Sequence, residues 1–309
     1  VFAVTVFMRC FMCGIAGEIN FSNHLQSDEH TFLQMKKLLK HRGPDQDDIC
    51  HYEGCTLVHD RLAVIDLQHG RQPMAEKRGD QEFCIVYNGE LYNTEELRSR
   101  LVGCGYHFHG HSDTEVLLKC YMEWGEQCLP MLNGIFSFAI WENHSKKLFI
   151  ARDRMGVKPF FYALVNGVFI FGSEIKALLI HPLVGSRIDA DSIAEIMLLG
   201  PGRTPGNGVF KDVKELCAGH YGSFSKDGLV IRKYWELYDN PHTETFEQTL
   251  EKVRFLVTDS IERQLVSDVP ICSFLSGGLD SSIISAVAAR HLQRRDQRLI
   301  TFSVDYRDN

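Results

Sequence analysis

The chain has 309 residues, of which 44% are hydrophobic and 24% charged, with a net charge of −7 at pH 7. This composition predicts a globular protein of about two domains, and the acidic balance, without blocks of Lys and Arg among aromatics, argues against nucleic acid as a partner. No apolar run approaches the roughly 20 residues of a membrane helix, and residues 1–7 are too short for a secretory signal, so we expect no membrane partner and a cytoplasmic location.

The ten cysteines are spread from Cys10 to Cys272 without regular pairing. A chain of this length does not depend on disulfides, so we expect reduced thiols, several of them in the core. Cys10 and Cys13 form a C-x-x-C, a spacing also found in redox and zinc sites. Because no second C-x-x-C completes a zinc site, we favour neither function.

Up to about residue 180, short runs with β character alternate with helical patterns, which predicts a mixed, sheet-rich layered domain. The predicted strands lie at 83–93, 135–142, 147–153 and 167–173. A helix is predicted from Asp28 to Lys40. Its apolar face consists of Phe32, Met35, Leu38 and Leu39. A second helix is predicted to begin at Ser112, which forms an S-x-x-E capping box with Glu115.

The segment HFHGH (107–111) has histidines at alternate positions. In a strand, His107, His109 and His111 would share one face and could bind zinc. An exposed polar strand edge is the more ordinary explanation, and we favour it.

From Gly200, the segment GPGRTPGNG is rich in turn-forming residues and predicts a surface loop or a covering flap. A linker follows near 236–245, and then an amphipathic helix. Its apolar positions are Phe246, Leu250, Val253, Leu256 and Leu265. A strand at 270–275, a glycine loop, a helix and a strand at 299–304 are typical of the start of a parallel α/β domain. Because only about 60 residues follow the linker, we expect a C-terminal truncation.

The loop SGGLDSS (276–282) is the first candidate for chemistry. A glycine turn between a strand and a helix presents backbone N–H groups and the positive end of a helix dipole, which bind phosphate. The loop is not a Walker loop, since Gly-Lys-Ser/Thr is absent. A tight turn with serine caps is the structural alternative. Asp280, which could hold Mg²⁺ on a bound pyrophosphate, favours a nucleotide site.

Cys13, which follows Met12, is the second candidate. A thiol at the first position of a chain has its own α-amine as a base, and a pKa of about 7.7 to 8.0 leaves that amine partly neutral at pH 7. As an internal residue, Cys13 would be chemically ordinary. An acyl-transfer site also needs oxyanion donors and groups that hold an amino acid. The polar clusters at 59–66 and 87–93 are the candidates.

Several motifs together carry a resemblance to a known family. They are MCGIAG, HRGPD (41–45), RLAVID, NGE, SDTE, ARDRMGVKPFFY (151–162), GSEIKAL (172–178) and SGGLDSSI. Their order resembles that of the glutamine-dependent asparagine synthetases, from Met12 to the end of the chain. The Cys-Gly-Ile start alone would also suit other N-terminal-nucleophile amidotransferases, such as those of purine or amino-sugar synthesis. The pyrophosphatase loop argues against them.

The resemblance implies a fold of two classes, α+β and then α/β. It implies a four-layer αββα N-terminal-nucleophile hydrolase domain, followed by the start of a parallel ATP-pyrophosphatase domain of the adenine nucleotide alpha hydrolase-like type. The expected division is an upstream extension or prosegment (1–12), a class II glutamine amidotransferase domain (13–235), a linker (236–246) and a truncated synthetase domain (247–309). Either Met12 is the true initiator or a prosegment is removed, and both routes would free Cys13.

The resemblance also implies roles at matching positions of the first domain. Cys13 would attack the side-chain amide of glutamine, with its own α-amine as the base. The side-chain amide of Asn88 and the backbone N–H of Gly89 would form the oxyanion hole. Glutamine would be bound by Arg61, Leu62, Ala63, Val64, Ile65, Asn88, Gly89, Glu90 and Asp113.

Within that glutamine-binding set, Arg61 would grip the α-carboxylate, while Glu90 and Asp113 would accept the α-amino group. For Asp113, an acid favoured by the helix dipole is the structural alternative, and both explanations can hold together.

In the second domain, the resemblance implies a nucleotide site with Asp280 as the magnesium ligand. Its residues would be Leu275, Ser276, Gly277, Gly278, Asp280, Ser281 and Val304. The domain would adenylate the β-carboxylate of aspartate with Mg-ATP, and ammonia arriving through an intramolecular channel would displace AMP to give asparagine. The expected partners are glutamine, aspartate and ATP. We expect no prosthetic group, and a homodimer.

Two alternatives stay open. One is a relative that amidates or cyclises another carboxylate, such as a β-lactam synthetase. Those enzymes do not use a working glutaminase, and the intact Cys13, Arg61, Asn88 and Asp113 argue against them. The other is a non-catalytic, regulatory glutamine-binding module whose N-terminus is blocked.

Overall fold

The computed structural model describes residues 12–22, 28–200 and 202–305. They form two compact units, one up to Glu236 and the other from Leu237 onward. The upstream segment 1–11, including Cys10 of the C-x-x-C, lies outside the described residues. Among the described helices, none combines the length and apolarity needed to cross a bilayer.

The first unit contains two six-stranded sheets. Its strands are β1 (Gly14–Ile19), β2 (Gln46–Tyr52), β3 (Cys55–Arg61), β4 (Met74–Arg78), β5 (Gln81–Leu91), β6 (Gly134–Glu142), β7 (Lys147–Arg152), β8 (Phe161–Val165), β9 (Val168–Gly172), β10 (Val213–Glu215), β11 (His220–Ser225) and β12 (Gly228–Lys233). One sheet has the order β10-β8-β9-β1-β3-β2 and the other β12-β11-β7-β6-β5-β4. Neighbouring strands are antiparallel throughout both sheets.

Helices cover the outer faces of the two sheets. They are α1 (Glu29–Leu39), α2 (Thr94–Gly103), α3 (Asp113–Trp124) and α4 (Ile175–Leu179), with a 3₁₀ helix at Gly125–Met131. Helix α5 (Ala190–Leu199) buries none of its side chains. One apolar cluster lies between the sheets and joins Ile15 of β1 to Val86 of β5. A second joins α1 and α4 to the first sheet, and a third joins α2 and α3 to the other sheet. The layers are therefore helix, sheet, sheet and helix, which confirms the predicted αββα fold.

Helix α1 lies where the sequence predicted a helix. Asp28 caps it by accepting the N–H of Thr31 at 3.0 Å. Of the predicted apolar face, Phe32, Met35 and Leu39 are buried and Leu38 is half-buried. Burial of this stripe is what holds the helix against the sheet.

Helix α3 begins at the predicted place, but the predicted capping box is wrong in its second half. Ser112 accepts the N–H of Thr114 at 3.2 Å. The carboxylate of Glu115 does not return to Ser112; it accepts the N–H groups of His109 and Gly110 at 2.9 and 3.1 Å. The box fails because the chain before Ser112 folds over the helix terminus and supplies closer donors.

The predicted strand at 107–111 is also wrong. The segment is irregular, because Glu115 accepts the N–H groups of His109 and Gly110 and Asp66 accepts that of His111, which leaves these groups no strand partner. The alternate spacing of the histidines therefore does not place them on one face. Gly200 and residues 202–208, the described part of the predicted surface loop, lie mostly exposed.

The second unit contains α6 (Phe246–Arg263), β13 (Cys272–Phe274), α7 (Leu279–Gln293) and β14 (Ile300–Phe302). Strands β13 and β14 are parallel, as predicted for the start of an α/β domain. Thr245 and Gln248 form a full capping box for α6. Leu265 lies beyond the end of α6, contrary to prediction, and the apolar side chains of Phe246, Leu250, Val253 and Leu256 are exposed.

Candidate functional site

A pocket in the first unit collects the candidate residues of the glutamine site. It is lined by Met12, Cys13, Arg61, Leu62, Val64, Ile65, Gly70, Gln72, Tyr87, Asn88, Gly89, Glu90, Ser112, Asp113, Thr114 and Lys158. These residues come from the start of β1, the loop after β3, strand β5, the start of α3 and the loop after β7. Five separate segments meet here only because the two sheets are packed face to face.

Cys13 lies just before β1 and is half-buried. Its Sγ donates to the carbonyl oxygen of Leu62 at 3.6 Å and accepts the N–H of Leu62 at 3.3 Å. Its own carbonyl oxygen accepts Nε of Arg42 at 3.0 Å. The thiol is therefore held at the pocket wall through both its sulfur and its main chain.

Burial raises the pKa of the Cys13 thiol to about 11, while the N–H of Leu62 and the charges of Arg61 and Lys158 act to lower that pKa. Asp113 raises the pKa further. With Met12 peptide-bonded to it, Cys13 is thus a protonated thiol at neutral pH, and its reaction as a nucleophile requires a base.

Arg61, the last residue of β3, is almost fully buried. Its Nη2 donates to the carbonyl oxygens of Ile65 and Asp66 at 2.9 and 2.7 Å, and its Nη1 donates to that of Leu67 at 3.3 Å and to Oε1 of Gln46 at 2.8 Å. The guanidinium therefore shapes the loop that follows β3. Of its donors, Nε has no partner among the residues that the structure describes.

The loop after β3 supplies three of the four predicted apolar residues to the pocket. Leu62, Val64 and Ile65 line it, whereas Ala63 lies outside the lining and donates its N–H to Oδ2 of Asp45 at 2.8 Å. Gly70 closes the loop. A Cβ there would lie 2.3 Å from Nη2 of Arg61, so a side chain would displace the guanidinium.

Asn88 and Gly89 lie on β5 beyond Ile85, where pairing with β4 ends. Asn88 is buried, and its Nδ2 has no hydrogen-bond partner in the described part of the chain. A buried unpartnered donor that lines a pocket is suited to an acceptor brought by a ligand. At Gly89, a Cβ would lie 2.3 Å from the carbonyl oxygen of Ile135, so the close approach of the strands requires glycine.

The two predicted acids both line the pocket, Glu90 from β5 and Asp113 from the start of α3. Asp113, at the start of α3, is buried, and its Oδ2 accepts the hydroxyl of Tyr87 at 3.0 Å and the N–H of Leu91 at 3.2 Å. Burial raises the pKa of Asp113, and these hydrogen bonds act against the rise. Burial also raises the pKa of Glu90, against the charge of Lys158.

Other lining residues have no role in the sequence analysis. Tyr87, Gln72 and Thr114 form a buried network in which Oε1 of Gln72 accepts the N–H of Tyr87 at 2.7 Å. Nε2 of Gln72 donates to Oγ1 of Thr114 at 3.2 Å. Lys158 belongs to the segment ARDRMGVKPFFY, one of the motifs that carry the resemblance. Membership of that motif was the only feature of the sequence that could have indicated a role for Lys158.

Within the described part of the chain, the cluster with metal-binding geometry comprises Glu76, His109 and Glu115. Nζ of Lys119 contacts both carboxylates, lying 3.4 Å from Oε1 of Glu76. The lysine supplies the positive charge that a metal ion would bring, so we assign no metal to this cluster.

In the second unit, the loop after β13 lies exposed at the start of α7. Gly277 has φ of +84°, and the cap residue Gly278 offers no side chain to the helix N–H groups. Oγ of Ser276 and Oγ of Ser281 lie 3.0 Å apart. The uncapped terminus of this 15-residue helix fits an anion such as a phosphate group.

Leu275 and Val304 lie at the same end of the second unit, because each follows one of the two parallel strands. Asp280 is an exposed carboxylate in the first turn of α7. One carboxylate beside phosphate oxygens and water is a common way of holding Mg²⁺, so the residues present fit a magnesium-bound nucleotide.

Comparisons with known proteins agree with this geometry. The family described as "Glutamine amidotransferase domain" matches residues 12–235, and the family described as "Asparagine synthase" matches residues 252–309. The chain is 50% identical over 299 residues to asparagine synthetase [glutamine-hydrolyzing] 3 of Bacillus subtilis, covering 96% of this chain and 49% of that protein. It is 35% identical to asparagine synthetase [glutamine-hydrolyzing] 1 of the same organism, covering 96% and 46%.

The chain therefore spans about half the length of these curated relatives. Among solved structures, a glutamine phosphoribosylpyrophosphate amidotransferase from B. subtilis superposes with a TM-score of 0.53 at 14% identity, covering 94% of this chain and 65% of that one. At this identity the likeness concerns the fold alone.

Proposed function

Because the chain belongs to the glutamine amidotransferase domain family, we propose that its first unit hydrolyses glutamine at Cys13. The observation that carries the proposal is the pocket, which collects a thiol, an unpartnered buried amide donor, a guanidinium and two carboxylates. A nucleophile, an oxyanion donor and groups for both charges of an amino acid are the parts that acyl transfer from glutamine requires.

In the proposed reaction, Cys13 is the first residue of the active protein. Its neutral α-amine takes the thiol proton, and the sulfur attacks the side-chain carbonyl carbon of glutamine. Nδ2 of Asn88 and the N–H of Gly89 stabilise the oxyanion that develops. The carbon–nitrogen bond breaks as the amine returns a proton to the leaving ammonia. Water then hydrolyses the thioester to glutamate by the same steps.

The remaining pocket residues recognise the substrate. The guanidinium of Arg61 binds the α-carboxylate of glutamine. It does so through Nε, or through Nη1 or Nη2 once that nitrogen releases the carbonyl oxygen of Leu67 or Ile65. Glu90 and Asp113 bind the α-amino group. The test is formation of glutamate and ammonia from glutamine without ATP by protein that begins at Cys13. Failure to turn over glutamine at millimolar concentration would refute the proposal.

We also propose that the second unit binds Mg-ATP and contributes to an asparagine synthetase. The supporting observations are the uncapped helix terminus at Gly278, the position of Asp280 and the relatives' printed names. In that reaction ATP activates the β-carboxylate of aspartate, and ammonia displaces AMP. Magnesium, held by Asp280 and the phosphates, would neutralise charge on the leaving pyrophosphate.

A cytoplasmic homodimer is part of this second proposal. Nucleotide binding by the second unit is tested by Mg²⁺-dependent binding of ATP to the chain, measured by equilibrium dialysis. Asp280→Asn should weaken this binding, and Asp296→Asn, in the turn after α7, is the matched control. Binding that is equal with and without Mg²⁺ would contradict the role of Asp280.

Replacing Asn88 with alanine is expected to lower kcat for glutamine hydrolysis about 100-fold or more, with little change in KM. The reason is that the amide donor acts on charge that develops only in the transition state. The measurement is steady-state glutaminase kinetics. Asn93→Ala, on the segment between β5 and α2, is the control, and a fall below about fivefold at Asn88 would remove that residue from the oxyanion hole.

Replacing Arg61 with alanine is expected to raise KM for glutamine by roughly 30-fold or more, because a charge-assisted contact to the α-carboxylate is lost. The partly buried carbonyl oxygen of Ile65 and the buried one of Asp66 also lose their donor, which should lower the free energy of unfolding by about 1 to 3 kcal/mol. Kinetics and thermal melting check the two effects separately. An unchanged KM with a lowered kcat would place Arg61 in another role.

A further inference from the structure

The segment ARDRMGVKPFFY (151–162) delivers Lys158 to the wall of the pocket. Lys158 is 8% exposed, and its Nζ lies 3.2 Å from Sδ of Met12, the residue directly before Cys13. Across the described ranges, no carboxylate lies within ion-pair distance of this ammonium. A buried cation therefore lies beside the peptide bond that precedes the candidate nucleophile.

The position of Lys158 is built by a rigid loop. Asp153 accepts the N–H groups of Val157 and Lys158, each at 3.0 Å. It also accepts the N–H of Phe136 at 3.2 Å, and Phe136 is paired with Gly89 across β5 and β6. The loop is thus hydrogen-bonded to the strand pair that carries the candidate oxyanion donors. The position of Lys158 relative to those donors is therefore fixed.

Burying an ammonium without a paired carboxylate is unfavourable, since the charge loses its hydration. Burial accordingly lowers the pKa of Lys158, with Glu90 acting in the opposite direction. The other groups that act on Lys158 are Cys13, Arg42 and Asp153. A methionine or leucine could fill the same space without this cost, so the charge itself is the feature to explain.

We propose that Lys158 is a positioning residue for Cys13, whose positive charge favours a deprotonated sulfur and disfavours a protonated amine on the same residue. Both effects favour the pair that starts the attack, a neutral amine beside a thiol that gives up its proton. The sulfur also faces Arg61, which acts in the same direction, and Asp113, which opposes it. Arg42 donates to the carbonyl oxygen of Cys13 through Nε and pairs with Glu174 through Nη1, at 2.9 Å.

The catalytic consequence rests on the proposed glutamine hydrolysis, but the effect on the sulfur does not. The first experiment therefore measures alkylation of Cys13 by iodoacetamide in the full chain at pH 8.5, quantified by mass spectrometry of the peptide that contains it. Lys158→Met should slow alkylation about tenfold, because removing a nearby cation raises a thiol pKa by about one unit. Lys158→Arg should remain within about twofold of the unchanged chain.

Lys226→Met is the matched control, because it removes the same charge from the exposed turn between β11 and β12. A Lys158→Met rate equal to that of Lys226→Met would overturn the proposal. Circular dichroism of each variant separates loss of charge from loss of fold. If Lys158→Met does not fold, Lys158→Gln provides the same neutralisation with a polar side chain.

The second experiment is the pH profile of kcat/KM for glutamine in protein that begins at Cys13. Lys158→Met should lose about tenfold at pH 7 and recover as the pH rises, because its amine and thiol titrate at higher pH. Lys158→Arg should keep the original profile. An equal loss at every pH would show a merely structural role and contradict the proposal. Absence of turnover in the unsubstituted protein would refute the proposed function instead, and the alkylation result would still decide the inference.

Discussion

Replacing Cys13 with alanine is expected to abolish glutamine hydrolysis, with a loss of roughly 10⁴-fold or more in kcat, because the sulfur forms the covalent bond to the substrate. The thiol is placed for this by its two contacts with Leu62 and by the pocket that contains Asn88 and Gly89. No other thiol among the described residues lines that pocket. The measurement is release of glutamate from protein that begins at residue 13 or its alanine counterpart.

Cys217→Ala is the matched control for this substitution, since Cys217 is also half-buried but lies outside the pocket lining. It should keep the activity of the unsubstituted protein. Binding of glutamine to Cys13→Ala should persist, because Arg61, Glu90 and Asp113 remain. Retention of substantial glutaminase activity by Cys13→Ala would mean that another group is the nucleophile.

Retaining even one residue ahead of Cys13 is expected to lower glutaminase activity about 10²- to 10⁴-fold, which is the usual contribution of a general base. The peptide bond to Met12 removes the basic amine, and burial holds the pKa of the thiol at about 11. Protein that begins at Cys13 should gain activity as the pH rises through about 7.7 to 8.0, where an α-amine becomes neutral. Protein that retains Met12 should gain activity only toward pH 11.

Two preparations from one gene make this comparison. A site-specific protease whose cleavage leaves Cys13 first is applied to half of a purified fusion, and intact mass identifies the first residue of each sample. Glutaminase rates are then measured across pH in both. Equal rates in cleaved and uncleaved protein would show that the α-amine is not the base, and a regulatory glutamine-binding module would then be the better description of the first unit.

Much of the fold was predictable because buried apolar residues recur along the sequence at the spacing of a helix or a strand. Phe32, Met35 and Leu39 repeat at helical spacing, and the structure buries all three in α1. The long apolar runs at 135–142 and 167–173 became β6 and β9, which are covered on both faces. Strand β2, with the sequence QDDICHY, lies at a sheet edge and is only half-buried. Its polar sequence has no regular apolar pattern, so the sequence did not predict a strand there.

Predictions from local sequence spacing were wrong where a side chain hydrogen-bonds a group that the sequence could not show to be its neighbour in space. The Ser112–Glu115 pair matched a capping box, yet Glu115 binds the N–H groups of His109 and Gly110. The same contacts prevent the histidine segment from forming a strand. In α6, four of the five predicted apolar positions lie on the helix and are exposed, while Leu265 lies beyond its end, because an apolar stripe identifies neither the helix end nor what covers it.

The sequence by itself determined which residue types are available for the chemistry. A cysteine after Met12, the Asn-Gly-Glu on β5 and the Ser-Gly-Gly-Leu-Asp loop each narrow the possible reactions, because thiols, amide donors and glycine turns have few other uses in such combinations. Tertiary structure alone decided how they meet. Packing of two sheets brings Cys13, Asn88 and Lys158 to one pocket, and the donors of Arg61 are largely engaged with its own loop. The effect of a charge on the pKa of a thiol depends on their distance in space and on the low dielectric of the interior, not on their separation along the chain. The effect of Lys158, 145 positions after Cys13, could therefore not be predicted from the sequence.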